Sequence, residues 1–133
     1  MYYFAYGSHL SQKLLRECCP GGVPRFSAEL PNYKLIFTGW SRQWRGGLAS
    51  IKRSGRDKVL GAIYEIDEKD LPRLDRAEDC PASYQRLPVT VYRDTGQPVE
   101  AITYIKTRQA DEARPSPEYL KVLQQGYRDW GLI

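Results

Sequence analysis

Aromatic residues crowd the start of the chain, where Tyr2-Tyr3-Phe4-Ala5-Tyr6 reads as a short strand that breaks at Gly7-Ser8-His9-Leu10 into an amphipathic segment. Further strand-like runs, rich in Val, Ile, Tyr and Thr, fall at residues 29–39, 48–52, 58–66, 85–92 and 99–106. Helical spacing appears at residues 11–18, where Pro20-Gly21-Gly22 ends it, at 68–77, and at 117–130. In the last of these, Tyr119, Leu120, Leu123, Tyr127 and Trp130 recur on one face. The pattern thus predicts about six short strands and three helices, with turn signals such as Asp94-Thr95-Gly96 between consecutive strands. That alternation favours an α+β fold built on a small, closed or nearly closed mixed barrel with peripheral helices over a layered parallel sheet. A polar connector at 109–117 is the one stretch that reads as a candidate flap.

Composition narrows the choice of class. At 133 residues, with 41% hydrophobic and 27% charged content, the chain suits one compact domain over residues 1–133 with its own core. It carries no basic leader followed by an apolar run and no apolar stretch of bilayer-spanning length, so the expected setting is cytoplasmic and away from membranes. Three cysteines and a single histidine supply neither a disulfide framework nor a four-ligand zinc site, and no metal is expected. The net charge of +4 is spread along the chain. The densest basic stretch, residues 42–56, interleaves with Trp40 and Trp44, a pattern that single-stranded nucleic acid accepts but that solvated loop charge explains more simply.

The chemistry concentrates at the opening turn. Gly7 lets the backbone approach a ligand, Ser8 is placed to cap the following turn, and the first amides beyond it face outward as donors for negative charge. Gly46-Gly47 lacks the Lys-Ser/Thr and the helix of a phosphate loop and reads as a hairpin turn. Glu78 lies in the charge-rich run Asp75-Arg76-Ala77-Glu78-Asp79 and reads, on spacing, as a solvated residue or the partner of Arg73 or Arg76.

At Tyr6-Gly7-Ser8-His9-Leu10 the chain resembles the gamma-glutamylcyclotransferase-like superfamily, which opens with a strand running into Tyr-Gly-Ser-Asn-Leu. Further matches follow in order at Trp44-Arg45-Gly46-Gly47-Leu48-Ala49-Ser50-Ile51, Val59-Leu60-Gly61-Ala62-Ile63-Tyr64, Leu74-Asp75-Arg76-Ala77-Glu78 and Pro115-Ser116-Pro117-Glu118-Tyr119, covering nearly the whole chain. The resemblance implies a small mixed barrel and cleavage of a gamma-glutamyl amide by the substrate's own α-amino group, releasing 5-oxoproline and an amine or amino acid without a cofactor. It implies Glu78 as general base, in a partly desolvated pocket that lifts its pKa above the free value of about 4.3. It also implies a substrate cradle from Tyr3, Phe4, Ala5, Tyr6, Gly7 and Ser8, with Tyr119 as a further contact, a residue that periodicity alone places equally well in the core. Two departures stand out. His9 replaces the usual asparagine and is expected to donate like it, to titrate near neutral pH, or to cap the helix facing solvent. Asp79 follows Glu78 where glycine is usual and is expected to point to water. The chain is short for the family, which leads to the expectation of an open leaving-group side. The alternative is a non-catalytic module binding a small anionic metabolite or nucleic acid. Oligomeric state is not legible.

Overall fold

The computed structural model describes residues 1–108 and 111–133. In chain order it comprises β1 (Tyr2–Ala5), a 3-10 turn (Ser8–Leu10), α1 (Gln12–Cys18), β2 (Val23–Ser41), β3 (Gly46–Glu65), a second 3-10 turn (Glu68–Asp70), α2 (Leu71–Ala77), β4 (Tyr84–Tyr92), β5 (Pro98–Lys106) and α3 (Pro117–Asp129). The strands close into a barrel in the order β1-β3-β2-β4-β5. Closure is mixed, because β1 runs antiparallel to β3 and parallel to β5. No helix among the described residues is long and apolar enough to cross a membrane.

Five strands replace the expected six. The runs 48–52 and 58–66 are one strand, β3, and β2 begins at Val23 rather than 29. The polar stretch Ser54-Gly55-Arg56-Asp57 between the runs does not reverse the chain. Pairing passes from Tyr33↔Arg53 to Pro31↔Lys58, so 54–57 bulge out opposite Asn32, which holds a positive φ of 67°. A hydrogen bond from the Ser54 hydroxyl to Asp57 closes the bulge. β1 ends at Ala5, one residue short of the expected Tyr6.

Strand alternation divides the core. Phe4 and Tyr6 join Ile51, Ile63, Val91 and the Leu123 side chain of α3, whereas Tyr3 and Ala5 face Leu15 of α1, Leu74 of α2, Tyr64 and Tyr104. Each fully buried apolar side chain of this kind contributes about 1.5–3 kcal/mol through removal from water. Of the periodic residues of α3, Leu120 is exposed, because its position points away from the barrel. Gly126 sets how closely α3 approaches: a Cβ there would lie 2.4 Å from the Cβ of Leu10 and 2.9 Å from its carbonyl carbon. With that gap closed, the Trp130 indole N–H donates to the Leu10 carbonyl at 2.9 Å and fixes the turn that follows β1.

Of the connector read as a flap, Gln109 and Ala110 lie outside the described residues. Beyond them, Ala113 N–H donates to Phe37 O at 2.9 Å and Gly47 N–H to Arg114 O at 3.0 Å, so the segment is laced to the β2–β3 hairpin. The hairpin reverses at residues 42–45, ahead of the glycine pair read as its turn. Gly47 has a different task, since a Cβ there would stand 2.3 Å from Ala113 O and push the connector off.

Candidate active site

Where β1 gives way to the 3-10 turn, a cavity of about 540 Å³ opens, and Tyr3, Tyr6, Gly7, Ser8, His9, Glu78 and Tyr119 all line it. Phe4 and Ala5, expected in the cradle, do not. Both are fully buried, and the Phe4 carbonyl is taken by the Thr103 hydroxyl at 2.7 Å, so their task is packing and barrel closure.

The end of α2 places Glu78. Asp79 N–H donates to Arg76 O and Cys80 N–H to Asp75 O, a Schellman closure that makes Glu78 the C-cap, one residue past the end of α2. Asp79 adopts φ 51° to complete it, the left-handed conformation that glycine takes most readily, and its side chain is exposed and accepts from the Ser83 hydroxyl. The helix end turns the Glu78 side chain, 21% exposed, into the cavity.

There one carboxylate oxygen meets two partners. Tyr3 Oη donates to Glu78 Oε1 at 3.1 Å, His9 Nδ1 lies 3.1 Å from the same oxygen, and Tyr3 Oη and His9 Nδ1 are themselves 3.1 Å apart. With the Tyr3 proton on Glu78, a proton on His9 Nδ1 completes the triangle without leaving two acceptors facing each other. Burial first, and the Glu78 charge second, push the Tyr3 hydroxyl well above its usual pKa, so Tyr3 stays a donor. Glu78 Oε2 has no hydrogen bond among the described residues. His9 is buried, which replaces the expectation of a solvent-facing cap; its carbonyl is held by Tyr64 Oη at 2.7 Å. Ser11, and not Ser8, caps the helix, accepting from Leu14 N–H, which leaves the Ser8 hydroxyl uncommitted among the described residues.

Tyr119 enters from the first turn of α3, whose N-cap Ser116 accepts from the Tyr119 amide at 3.2 Å. Its hydroxyl accepts from Ala49 N–H at 3.0 Å, and no acceptor among the described residues takes its own proton. Burial raises its pKa to about 12, so that proton remains available as a donor. Trp44 packs on the Tyr119 ring with centroids 5.4 Å apart; this half of the tryptophan pair is thus a wall of the cavity. Tyr6 donates to the Tyr104 carbonyl at 2.5 Å, spending its proton on the barrel. Sequence reasoning missed the contact of His9 with Glu78 and the presence of Lys106 at the cavity wall. The only signal for Lys106 is its place at the end of a strand.

The arrangement offers a carboxylate held on one oxygen, a set of neutral donors and a space sized for a small molecule. Among the described residues no serine or cysteine hydrogen-bonds the His9 ring, so the nucleophile, base and orienting-group series of covalent acyl transfer is not formed there.

Comparison with known proteins agrees with this geometry. The family model described as "Gamma-glutamyl cyclotransferase, AIG2-like" matches residues 3–128. The chain is 33% identical over 135 residues to the gamma-glutamylcyclotransferase of Bos taurus, covering 98% of this chain and 71% of that protein. The mouse gamma-glutamylaminecyclotransferase is 39% identical, but over 61 residues and 41% of this chain. Among solved structures, a gamma-glutamyl cyclotransferase superposes with a TM-score of 0.95 at 30% identity, covering 99% of this chain and 80% of that one. A mouse AIG2-like protein reaches 0.65 at 25% identity, over 90% and 81%. Since the family model spans both β1 with its turn and the helix end that carries Glu78, the chain belongs to the gamma-glutamyl cyclotransferase, AIG2-like family.

Proposed function

We propose that the cavity cyclises gamma-glutamyl amides. The substrate's α-ammonium lies against Glu78 Oε2, which takes a proton from it. The freed amine then attacks the side-chain carbonyl carbon, forming the ring C–N bond, and the original amide C–N bond breaks as the tetrahedral centre collapses. Two protons leave the α-nitrogen in all, and Glu78 carries both to the departing nitrogen, so that 5-oxoproline and an ammonium-bearing product are released. Ring closure is intramolecular, and holding the chain bent with the reacting atoms about 3–3.5 Å apart supplies up to roughly 7–11 kcal/mol of the barrier. The protein therefore needs a base and oxyanion donors rather than a nucleophile. The Tyr119 hydroxyl and the Ser8 group serve as those donors and as contacts for the glutamyl carboxylate.

The single observation that carries this reading is the Tyr3–Glu78–His9 triangle, which engages Oε1 of this cavity-lining carboxylate and leaves Oε2 without a hydrogen-bond partner among the described residues. Three free cysteines are in keeping with a reducing, cytoplasmic setting. The test is 5-oxoproline release from gamma-glutamyl dipeptides and gamma-glutamyl amines beside Glu78→Gln. Loss of the acid/base group should lower turnover by about 10²–10⁴-fold. Near-normal turnover in Glu78→Gln would remove Glu78 from the chemistry.

A further inference from the structure

Gamma-glutamyl substrates share their glutamyl end and differ at the leaving end. A leaving amino acid brings a second carboxylate, whereas a leaving simple amine brings none. Among the residues that line the cavity, Lys106 is the only lysine or arginine. It is the last residue of β5, paired in register with Tyr84 of β4, and its ammonium stands 4.9 Å from the centre of the Tyr84 ring. On the hairpin side the ammonium is pressed toward Gly39, where a Cβ would lie 3.4 Å away. No carboxylate among the described residues forms an ion pair with it. Burial lowers its pKa from the ordinary lysine value, and the charge of Asp79 only partly opposes that shift.

A half-buried ammonium set against an aromatic face and lacking a counter-ion favours an anionic ligand, because a carboxylate would restore the solvation that burial removed. The placement says which carboxylate. The inner wall, at Tyr3, His9 and Glu78, takes the glutamyl ammonium on the reading above. Lys106 lines the cavity from the end of β5, with its ammonium against Gly39 of β2, the chain neighbour of the 70% exposed Trp40 that also lines the cavity, and this exposed side is where the substrate's other half would emerge.

We propose that Lys106 is the specificity-determining residue that receives the α-carboxylate of an amino-acid leaving group, so that the protein acts on gamma-glutamyl α-amino acids in preference to gamma-glutamyl amines. This inference rests on the cyclotransferase reading for the orientation of the substrate.

The test uses gamma-glutamylalanine and gamma-glutamylethylamine, which differ only by that carboxylate. Their affinities are measured by calorimetry on the full chain carrying Glu78→Gln, so that neither ligand is consumed, with and without Lys106→Met. With Lys106 present, gamma-glutamylalanine should bind about 10–100-fold more tightly, as expected for a hydrogen-bonded charge pair. Lys106→Met should erase that preference while leaving gamma-glutamylethylamine within about twofold, and Lys106→Arg should keep most of it. Equal affinity for the two ligands, or equal weakening of both by Lys106→Met, would overturn the assignment, the latter placing Lys106 on the glutamyl carboxylate. Release of 5-oxoproline by the chain with Glu78 intact is scored separately. A carboxylate preference without release would sink the cyclisation reading and leave the role of Lys106 standing, whereas release without the preference would do the reverse.

Discussion

Replacing Tyr3 by phenylalanine removes one oxygen and keeps the ring that packs edge-on to His9 and Tyr104 with centroids 5.9 Å away in each case. The side chain is 4% exposed, so no surface rearrangement compensates the change, and the loss can be assigned to the hydroxyl. That hydroxyl sits 3.1 Å from both Glu78 Oε1 and His9 Nδ1. A hydrogen bond to a charged group contributes about 1.5–3 kcal/mol, and since Glu78 is 21% exposed, water can replace part of it in the folded variant. The expected stability loss is therefore about 1 kcal/mol. The catalytic loss is expected to be larger, because a carboxylate freed from Tyr3 no longer presents Oε2 to the substrate ammonium in one orientation. A decrease of about 10–100-fold in kcat/KM corresponds to roughly 1.4–2.8 kcal/mol. Steady-state 5-oxoproline release from a gamma-glutamyl dipeptide gives kcat/KM, and urea denaturation gives stability. The double variant with Glu78→Gln separates positioning from simple damage, since once the carboxylate is gone, removing the Tyr3 hydroxyl should change turnover little. A kcat/KM within about twofold of the parent, or losses that multiply fully in the double variant, would refute the argument.

Gly126→Ala should destabilise by about 1–3 kcal/mol, because its Cβ would stand 2.4 Å from the Cβ of Leu10. Urea unfolding should report this as a midpoint lower by about 1 M, given slopes of about 1–3 kcal/mol per M, and an unchanged midpoint would mean that α3 lies farther from the turn than described. The Asp75 carboxylate receives the Arg86 guanidinium through two nitrogens and the Tyr104 hydroxyl, and Arg86 chiefly holds it below the usual carboxylate range. With the folded pKa below the unfolded value of about 3.9, this network contributes stability above that value and loses it as pH falls through the folded pKa. Asp75→Asn should thus be less stable at pH 7 and approach the parent at pH 3 or lower. A stability gap independent of pH would show that the carboxylate charge has no part in it.

Period-two and helical patterning located every helix and most strand residues, because burial on one face leaves its mark directly in the sequence. The bulge at 54–57 escaped, since a polar tetrapeptide that loops out of a ladder has the same composition as one that reverses the chain. The role of Ser11 as cap and the fate of Phe4 and Ala5 depend on which strand residue faces which cluster, a question of register that β1 alone cannot answer. Asp79 shows the opposite case, because its departure from the usual glycine marks a backbone position of φ 51° that aspartate tolerates. His9 and Lys106 were opaque for another reason: each acquires its meaning from a distant residue, His9 from Glu78, 69 positions away and brought near by the tertiary fold, and Lys106 from Tyr84, 22 positions away and set beside it by the β4–β5 register.

The same closure governs when the protein can work at all. The bonds that shape the cavity join Tyr3 to Glu78 across 75 positions, Ala49 to Tyr119 across 70, Tyr6 to Tyr104 across 98 and Leu10 to Trp130 across 120. Contacts so distant along the chain form late, after the large loops between them have been closed. An emerging polypeptide that has completed the long hairpin but lacks its last helix possesses Tyr3 and Glu78, yet not the Tyr119 that completes the cavity wall. Activity should appear only with the finished barrel, which makes ligand occupancy a readout of the entire fold rather than of one corner of it.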